Sequence, residues 1–148
     1  MLLVDTYVGP SAIEGLGVFA GRPLAKGTLV WRLDPGFDRV ITPAEREALP
    51  ETTRQFLDRY AYFDSILQAY LLDGDHCRFM NHSDTPAIEF RVGGTGYMLR
   101  DVAAGEELTC DYHDFMDEVS LARHFRGAHQ DRDTAEADAS ASQSAAGA

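Results

Sequence analysis

Apolar residues form short runs through the first forty positions of the chain. The runs LLVDTYV, GVFA and TLVWRL are rich in Val, Leu and aromatic residues and are separated by glycine and proline. Runs of this length and composition are typical of strands, and Gly and Pro are typical of the turns between them. The pattern therefore predicts strands of a small, twisted antiparallel sheet system before residue 41.

The pattern becomes helical at ITPAEREAL. Thr42 is suited to cap a helix, Pro43 to take its first position, and Glu45 to complete a capping box three residues after the cap. Pro50 marks the end of this helix or the start of a second one. We therefore predict a helix that begins at Pro43.

The next stretch combines a helical and an extended pattern. In TRQFLDRYAYF, the residues Phe56, Leu57 and Tyr60 share one helical face, whereas ILQAYLLD has the alternation of a half-buried strand. The residues between Tyr60 and Ile66 fit either element, so the boundary between helix and strand is left open there.

The C-terminal third predicts a hairpin, one further strand and a closing helix. AIEFRV and GYMLRD flank the turn sequence GGTG, ELTCDY follows the turn AAGEE, and DEVSLARHF has a helical pattern. The last segment, QDRDTAEADASASQSAAGA, has no large apolar residue and cannot bury enough surface to order itself. We predict a folded domain over residues 1–128 and a disordered tail over residues 129–148.

Length and charge narrow the possible functions. The 148 residues are 45% hydrophobic, enough for one domain with an ordinary core. A net charge of −11 disfavours direct binding to nucleic acid, whose phosphates require clustered Lys and Arg. The negative charge leaves open a basic protein or peptide as partner. The alternative is that the acidic surface only keeps the protein soluble. The oligomeric state is open.

Targeting signals are not evident in the sequence. No run approaches the roughly 18–20 apolar residues of a membrane span, and MLLVDTYVGP lacks a basic region followed by a long apolar one. We expect no membrane contact and no secretion. A bare domain rich in Ala, Arg and Asp favours the bacterial cytoplasm, with the nucleus or a host cell as alternatives.

The cysteines and histidines do not predict a metal site. Cys77 and Cys110 lack the paired spacing of zinc ligands, and we expect free thiols, with one disulfide as the alternative. His76, Cys77 and His82 lie close together, but a second pair of ligands is missing. DGDHCRFMNHSD also lacks the glycine and closing glutamate of a calcium loop.

The polar run in RFMNHSDTPAIEF fits either a buried polar network or the lining of a ligand site. Nucleophilic catalysis by Cys110 or Ser83 with His82 is disfavoured, because adjacent side chains rarely point at each other and the G-x-S-x-G elbow is absent. The glycines of EGLGVFAG allow close approach of backbone to a ligand, or form a tight turn between strands.

Three segments together carry a family resemblance. GLGVFAGRPLAKGTLV, YLLDGDHCRFMNHSDTP and LRDVAAGEELTCDY occur in the order and approximate spacing of the SET-domain protein lysine methyltransferases, which they closely resemble. The matching region runs from Val8 to Phe115. The resemblance implies a mainly β fold with short helices, made of several small antiparallel sheets. It also implies a C-terminal pseudoknot that brings Asn81 and His82 beside Tyr112.

The same resemblance implies S-adenosyl-L-methionine as cofactor and methyl transfer to the side-chain amine of a lysine in a protein substrate. By position, Gly15, Leu16 and Gly17 would border the methionine end of the cofactor. Asn81 and His82 would hold its amino and adenine groups, partly through main-chain atoms.

The resemblance also assigns a catalytic residue and a substrate channel. Tyr112 matches the tyrosine of the family's DY motif and would contact both the cofactor and the reacting amine, whereas Arg78 would support the fold. Aromatic residues would form the walls around the alkyl stem of the lysine. The candidates are Tyr70, Tyr62 and Phe115, with Tyr60 and Phe63 as further possibilities.

The sequence departs from the family pattern at two places. Asp84 and Ala87 stand where members often have Cys and Asn, and no cysteine follows Cys110 to form the zinc cluster that closes the channel in many members. Closure would then fall to HDFMDEVSLARHF, with Phe115, Met116 and Phe125. The alternatives are a non-catalytic SET-like module that binds a protein or peptide, and a small-molecule or metal-dependent enzyme.

Overall fold

The computed structural model describes residues 1–122. They comprise one compact unit, Met1–Asp117, and the helical residues 118–122, which begin a second unit, Glu118–Ala148. Most of the predicted closing helix, Phe125 and the predicted tail over residues 129–148 lie outside the described residues. The domain boundary at residue 128 therefore stays a prediction.

Short strands dominate the first unit. In the described part of the chain they are β1 (Thr6–Pro10), β2 (Leu16–Ala20), β3 (Leu29–Arg32), β4 (Arg39–Ile41), β5 (Tyr62–Asp64), β6 (Ala69–Leu72), β7 (Asn81–His82), β8 (Ile88–Arg91), β9 (Thr95–Met98) and β10 (Glu107–Cys110). The helices of this unit are α1 (Pro43–Glu47), α2 (Glu51–Tyr60) and two 3-10 turns, His76–Phe79 and Tyr112–Asp114.

The strands form two sheets. The larger has the order β1-β2-β10-β8-β9-β3, with β7 also paired to β10, and the smaller has the order β4-β6-β5. Most pairs are antiparallel, but β10 runs parallel to both β7 and β8. Thr109 is thereby aligned with Asn81, and Cys110 with His82. This mainly β architecture of small sheets with short helices confirms the predicted fold.

Two local predictions are confirmed in detail. Thr42 caps α1, with its hydroxyl accepting from the Glu45 N–H and the Glu45 carboxylate accepting from the Thr42 N–H. Strands β8 and β9 form the predicted hairpin, and its turn contains Gly93 and Gly94 at φ values of 101° and 73°. Such positive φ angles carry no steric cost for glycine, so these residues fix where the hairpin turns.

The N-terminal strand and one interior strand differ from the predictions. β1 begins at Thr6, because Leu2 forms only an isolated bridge with Trp31. Strand β4 was not predicted, since Ile41 is its one buried residue and it has no apolar run. Strand β4 is held by its pairing with β6 and not by an apolar run of its own. The open region after Tyr60 forms strand β5.

Strand β10 lies at the centre of the core. Leu108 pairs with Val18 and Cys110 pairs with Ile88, and Leu108, Val18 and Ile88 are fully buried. Cys77 and Cys110 are buried thiols that do not form a disulfide. Within residues 1–122, none of the helices has the length and apolar character needed to cross a membrane.

Candidate functional site

A cleft of about 540 Å³ opens beside the turn that precedes β2. The cleft combines exposed backbone, two arginines and aromatic rings. It is lined by Glu14, Gly15, Leu16, Arg59, Tyr60, Arg78, Phe79, Met80, Asn81 and Tyr112.

The turn at Gly15 presents bare backbone to this cleft. Gly15 has φ +47°, and its carbonyl accepts a hydrogen bond from the Ser11 N–H at 3.0 Å. A Cβ atom at Gly15 would meet no atom within 4 Å. The main chain of Gly15 and Leu16 is therefore accessible to a ligand, in agreement with the place that the sequence predicted for them.

Asn81 fixes the position of that turn. Its side-chain amide donates to the carbonyls of Glu14 and Leu16, at 3.2 and 3.1 Å. It also donates to the Glu107 carboxylate at 2.9 Å, and the Ser11 hydroxyl donates to both oxygens of the same carboxylate. Because these bonds engage the amide nitrogen, Asn81 acts toward the cleft mainly by positioning the turn. The sequence analysis missed Glu107, whose signal is its place in GEEL, two residues before Thr109, which pairs with Asn81.

Gly17 is a glycine because Glu107 leaves no room for a side chain. A Cβ atom at this position would overlap the Glu107 carboxylate, and Ser11 and Asn81 hold that carboxylate in place. Gly17 pairs with Gly9 of β1. It is not among the residues that line the cleft, so it supports the site from behind.

We expect Gly17→Ala to destabilise the fold by about 1–3 kcal/mol, because the new methyl group must displace a hydrogen-bonded carboxylate. Urea unfolding of the two proteins measures the difference. Gly15→Ala is the matched control, since its methyl group would point into open space and only the positive φ would add strain. Equal losses at the two glycines would contradict this account of Gly17.

The His82 side chain points away from the cleft. Adjacent residues of a strand face opposite sides, so Asn81 lines the cleft while His82 faces Tyr112. His82 Nδ1 accepts a hydrogen bond from the Tyr112 N–H at 3.2 Å. A contact of the His82 ring with the cofactor is not supported by this placement, and the main-chain role stays a prediction. His82, Asp111 and His113 together form a group of possible metal ligands.

Tyr112 lies at the inner end of the cleft. It is 8% exposed, and its hydroxyl donates to the Met80 carbonyl at 2.8 Å. Burial raises the pKa of this hydroxyl, and the nearby Cys110 and Glu14 raise it further. Tyr112 is therefore a neutral phenol at physiological pH. Its proton is donated to Met80, and its oxygen can still accept a hydrogen bond from a substrate.

A second cavity of about 470 Å³ begins where the cleft ends. It shares Tyr60, Arg78, Met80 and Tyr112 with the cleft. The Tyr62 and Phe115 rings form part of its wall with their centroids 4.5 Å apart, and Phe115 lies 5.9 Å from the Tyr112 ring. Tyr62 and Phe115 thus both line this second cavity, and their role as walls of a substrate channel stays a prediction.

Tyr70 is not among the residues that line this second cavity. Its ring contacts Phe63 at 5.3 Å and the Arg46 guanidinium at 5.4 Å. In strand β6 the neighbours Ala69 and Leu71 are buried and face the core, so Tyr70 faces the other side of the sheet. The predicted channel role of Tyr70 is not supported by this position.

A third cavity, an open groove of about 870 Å³, adjoins the second one and shares Tyr62, Phe90 and Phe115 with it. The carboxylates of Asp64 and Asp114 line this groove. Met116 forms a bridge with Asp64, which lines the groove. Phe115 lines both the groove and the second cavity, and Met116 lines the second cavity. The role of these residues in closure stays a prediction, and Phe125 lies outside the described residues.

Asp73 is a buried carboxylate in the wall of the second cavity. The Trp31 indole N–H donates to it at 2.9 Å. Burial raises the pKa of Asp73 to about 6, and the nearby Asp38 adds to the rise although the indole opposes it. The burial of Asp73 could not be predicted from the sequence, because it depends on the packing of distant residues.

The cleft also contains two arginines that suit an anionic group. Arg78 Nε is buried and has no hydrogen-bond partner among residues 1–122, and the side chain borders both the cleft and the second cavity. Arg59 lies 3.4 Å from Glu14 at the cleft wall. Exposed glycine backbone beside two guanidinium groups fits a ligand that carries a carboxylate. The sequence analysis missed Arg59 and assigned Arg78 to the fold alone.

Comparisons with known proteins agree with this architecture. The sequence profile described as SET domain matches residues 15–113, about two thirds of the chain. The chain therefore belongs to the SET-domain family. No curated protein sequence matches the chain significantly.

Two solved structures are similar in fold. One is a humanized mutant of the Chaetomium thermophilum Polycomb Repressive Complex 2 bound to the inhibitor GSK126, with 19% identity and a TM-score of 0.58 over 80% of this chain. This chain spans only 16% of that one. The other is a Plasmodium falciparum protein described as a candidate histone methyltransferase. It has 22% identity and a TM-score of 0.51, and the match covers 75% of this chain and 95% of that one.

Proposed function

We propose that this protein transfers a methyl group from S-adenosyl-L-methionine to the side-chain amine of a lysine in a protein substrate. The observation that carries the proposal is that two cavities meet at Tyr112 and Met80, so that two ligands can approach one point from different directions. Membership of the SET-domain family supports the same activity.

The cleft would hold the cofactor. The backbone of Gly15 and Leu16 and the Arg78 guanidinium would bind its amino-acid end, with Asn81 keeping the turn in position. When bound, the cofactor supplies a methyl group on a positively charged sulfur, and a positive charge beside the substrate amine disfavours the protonated form of that amine.

The second cavity would hold the lysine side chain. A lysine ammonium with a pKa of about 10.4 is not a nucleophile until it loses a proton. Burial beside the aromatic rings of Tyr62 and Phe115, which line this cavity, would lower that pKa by desolvation. Tyr112 is a neutral phenol and does not serve as the base, so the proton leaves through water. The Tyr112 oxygen accepts from the amine and orients its lone pair toward the cleft.

The groove beyond the second cavity would hold the peptide around the lysine. Asp64 and Asp114 line it together with the single basic residue Arg91, so the groove itself has an excess of carboxylates. Together with the net charge of −11 for the whole chain, this supports a basic segment as the substrate.

The test is transfer of a labelled methyl group. Wild type is incubated with labelled S-adenosyl-L-methionine and a mixture of basic proteins, and label is measured on protein after hydrolysis to methyl-lysine. We expect incorporation above that of heat-treated enzyme. Cofactor binding without any transfer would support the alternative of a non-catalytic SET-like binding module, and it would refute the proposed activity.

Asn81→Asp is expected to weaken cofactor binding about tenfold or more, because a carboxylate cannot donate to the Glu14 and Leu16 carbonyls and is repelled by Glu107. Calorimetric titration with the cofactor measures the change. Asn81→Ala removes the donor without adding charge, so its affinity for the cofactor should lie between those of wild type and Asn81→Asp. Unchanged affinity in both variants, with folding verified by circular dichroism, would contradict the role of Asn81 in positioning the turn.

A further inference from the structure

Three metal-ligating side chains meet on the side of β7 that faces away from the cleft. His82 comes from β7, and Asp111 and His113 come from the second 3-10 turn. One ligand atom from each lies within 4.8 Å of the others. His82 Nδ1 is 3.6 Å from the Asp111 carboxylate, and His113 Nδ1 is 2.6 Å from the same oxygen. The parallel pairing of β7 with β10 is what brings His82 to this turn.

We propose that His82, Asp111 and His113 bind a divalent transition-metal ion of the zinc class. Two imidazoles and one carboxylate are the donors that suit such an ion, and three protein ligands leave a fourth position for water. The inference does not depend on methyl transfer, because it rests on donor atoms outside both cavities.

The surroundings of His82 favour the same ion. A metal-bound histidine usually donates its second ring N–H to a carboxylate, which fixes the ring and its tautomer. Here His82 Nε2 lies 3.4 Å from the Asp84 carboxylate, and Nδ1, which accepts from the Tyr112 N–H, is the nitrogen that lies near Asp111. Asp84 is one of the residues at which the sequence departs from the family pattern.

Small local movements would bring the ligands around an ion. Zinc binds imidazole and carboxylate at about 2.0–2.2 Å, which places tetrahedral ligand atoms roughly 3.4 Å from one another. The 3.6 Å between His82 Nδ1 and Asp111 is close to that spacing, whereas the 2.6 Å between His113 Nδ1 and Asp111 must widen. The His113 side chain is 62% exposed and can rotate toward the other two ligands. Binding would replace the hydrogen bond between His113 and Asp111 and the one between Tyr112 N–H and His82.

The sequence predicted no metal site, because a second pair of ligands is missing around His76, Cys77 and His82. Asp111 and His113 lie about thirty residues further along the chain. They become neighbours of His82 only through the strand pairing. Spacing in the sequence therefore carried no signal of this site.

Titration of the full chain with Zn²⁺ by calorimetry tests the proposal. We expect one ion per chain, with His113→Ala weakening the affinity tenfold or more and Asp84→Asn weakening it about tenfold. His76→Ala is the matched control, since this exposed histidine contacts only Thr6 among the interactions described for it, and it should leave the affinity unchanged.

A second variant tests whether the histidines outside the described residues are ligands of the ion. The double variant His124→Ala, His129→Ala should bind Zn²⁺ like wild type, and in it the ring-proton resonances of His82 and His113 should shift on addition of the ion. The proposal is overturned if wild type binds no ion, if His113→Ala binds as tightly as wild type, or if the double variant loses binding.

Discussion

Tyr112→Phe is expected to lower the rate of methyl transfer at least a hundredfold, while cofactor affinity changes less than about threefold. The Tyr112 oxygen is the polar atom that would hold the substrate amine at the junction of the two cavities, and it is itself held by the Met80 carbonyl at 2.8 Å. A misplacement of about 1 Å at a reacting atom can cost roughly a hundredfold in rate. The ring remains, so the wall of the cleft is preserved.

Single-turnover transfer of labelled methyl, with cofactor binding measured separately, distinguishes the two effects. The lost hydrogen bond also lowers the free energy of unfolding by about 1 kcal/mol, which urea titration checks. Tyr97→Phe is the matched control, because that tyrosine lies in β9 beside Arg91 and lines neither the cleft nor the second cavity. A rate for Tyr112→Phe within about threefold of wild type would exclude the proposed role of the hydroxyl.

Asp73→Asn is expected to stabilise the protein at pH 7 by about 3 kcal/mol and to have almost no effect near pH 4. The pKa of Asp73 is raised from 3.8 to about 6, chiefly by burial. An acid with a raised pKa favours the folded state while it is protonated, and that contribution is lost as the pH rises from about 3.8 through about 6. Asparagine remains neutral and keeps an oxygen to accept from the Trp31 indole.

Urea unfolding of both proteins at pH 4, 5 and 7, with a chelator present, measures this difference. Asp84→Asn serves as the control, since that side chain is 99% exposed. An equal difference between Asp73→Asn and wild type at pH 4 and pH 7 would show that the carboxylate is not the cause.

Local chemistry explains which elements could be predicted from the sequence. The capping box at Thr42 and the glycines of the β8–β9 turn act through neighbours three or fewer residues away, so the sequence displays them directly. Strand β4 was missed because it is held by pairing with β6, some thirty residues later, and has only Ile41 in the core. Such pairing overrides a weak local preference.

The residues of the candidate site likewise divide into those that could be predicted from the sequence and those that could not. The structure brings four residues of the family motifs to one cleft, namely Gly15, Leu16, Asn81 and Tyr112. Arg59 lies outside the motif segments and Asp73 inside one, but neither was assigned to the site, because their proximity to it depends on how α2 and β6 pack. Tyr70 is the opposite case, since it was assigned to the channel and does not line the second cavity.

The position of an aromatic residue relative to a motif does not determine which face of its strand the side chain occupies. For Tyr70 that face is set by the burial of Ala69 and Leu71. The register of β6 against its partners decides this, and the register is a property of the folded sheets.

The central place of β10 has a consequence for how the molecule acquires its ligand site. Leu108 pairs with Val18, ninety positions earlier, and Thr109 pairs with Asn81. Strand β10 therefore joins segments of the chain that are synthesised well before it. Contacts of such wide sequence separation form slowly in folding. Glu107, which anchors Asn81 and the turn at Gly15, arrives with the same strand. A growing chain therefore has no organised cleft until β10 has been synthesised and inserted, and binding of a ligand there reports that folding is complete.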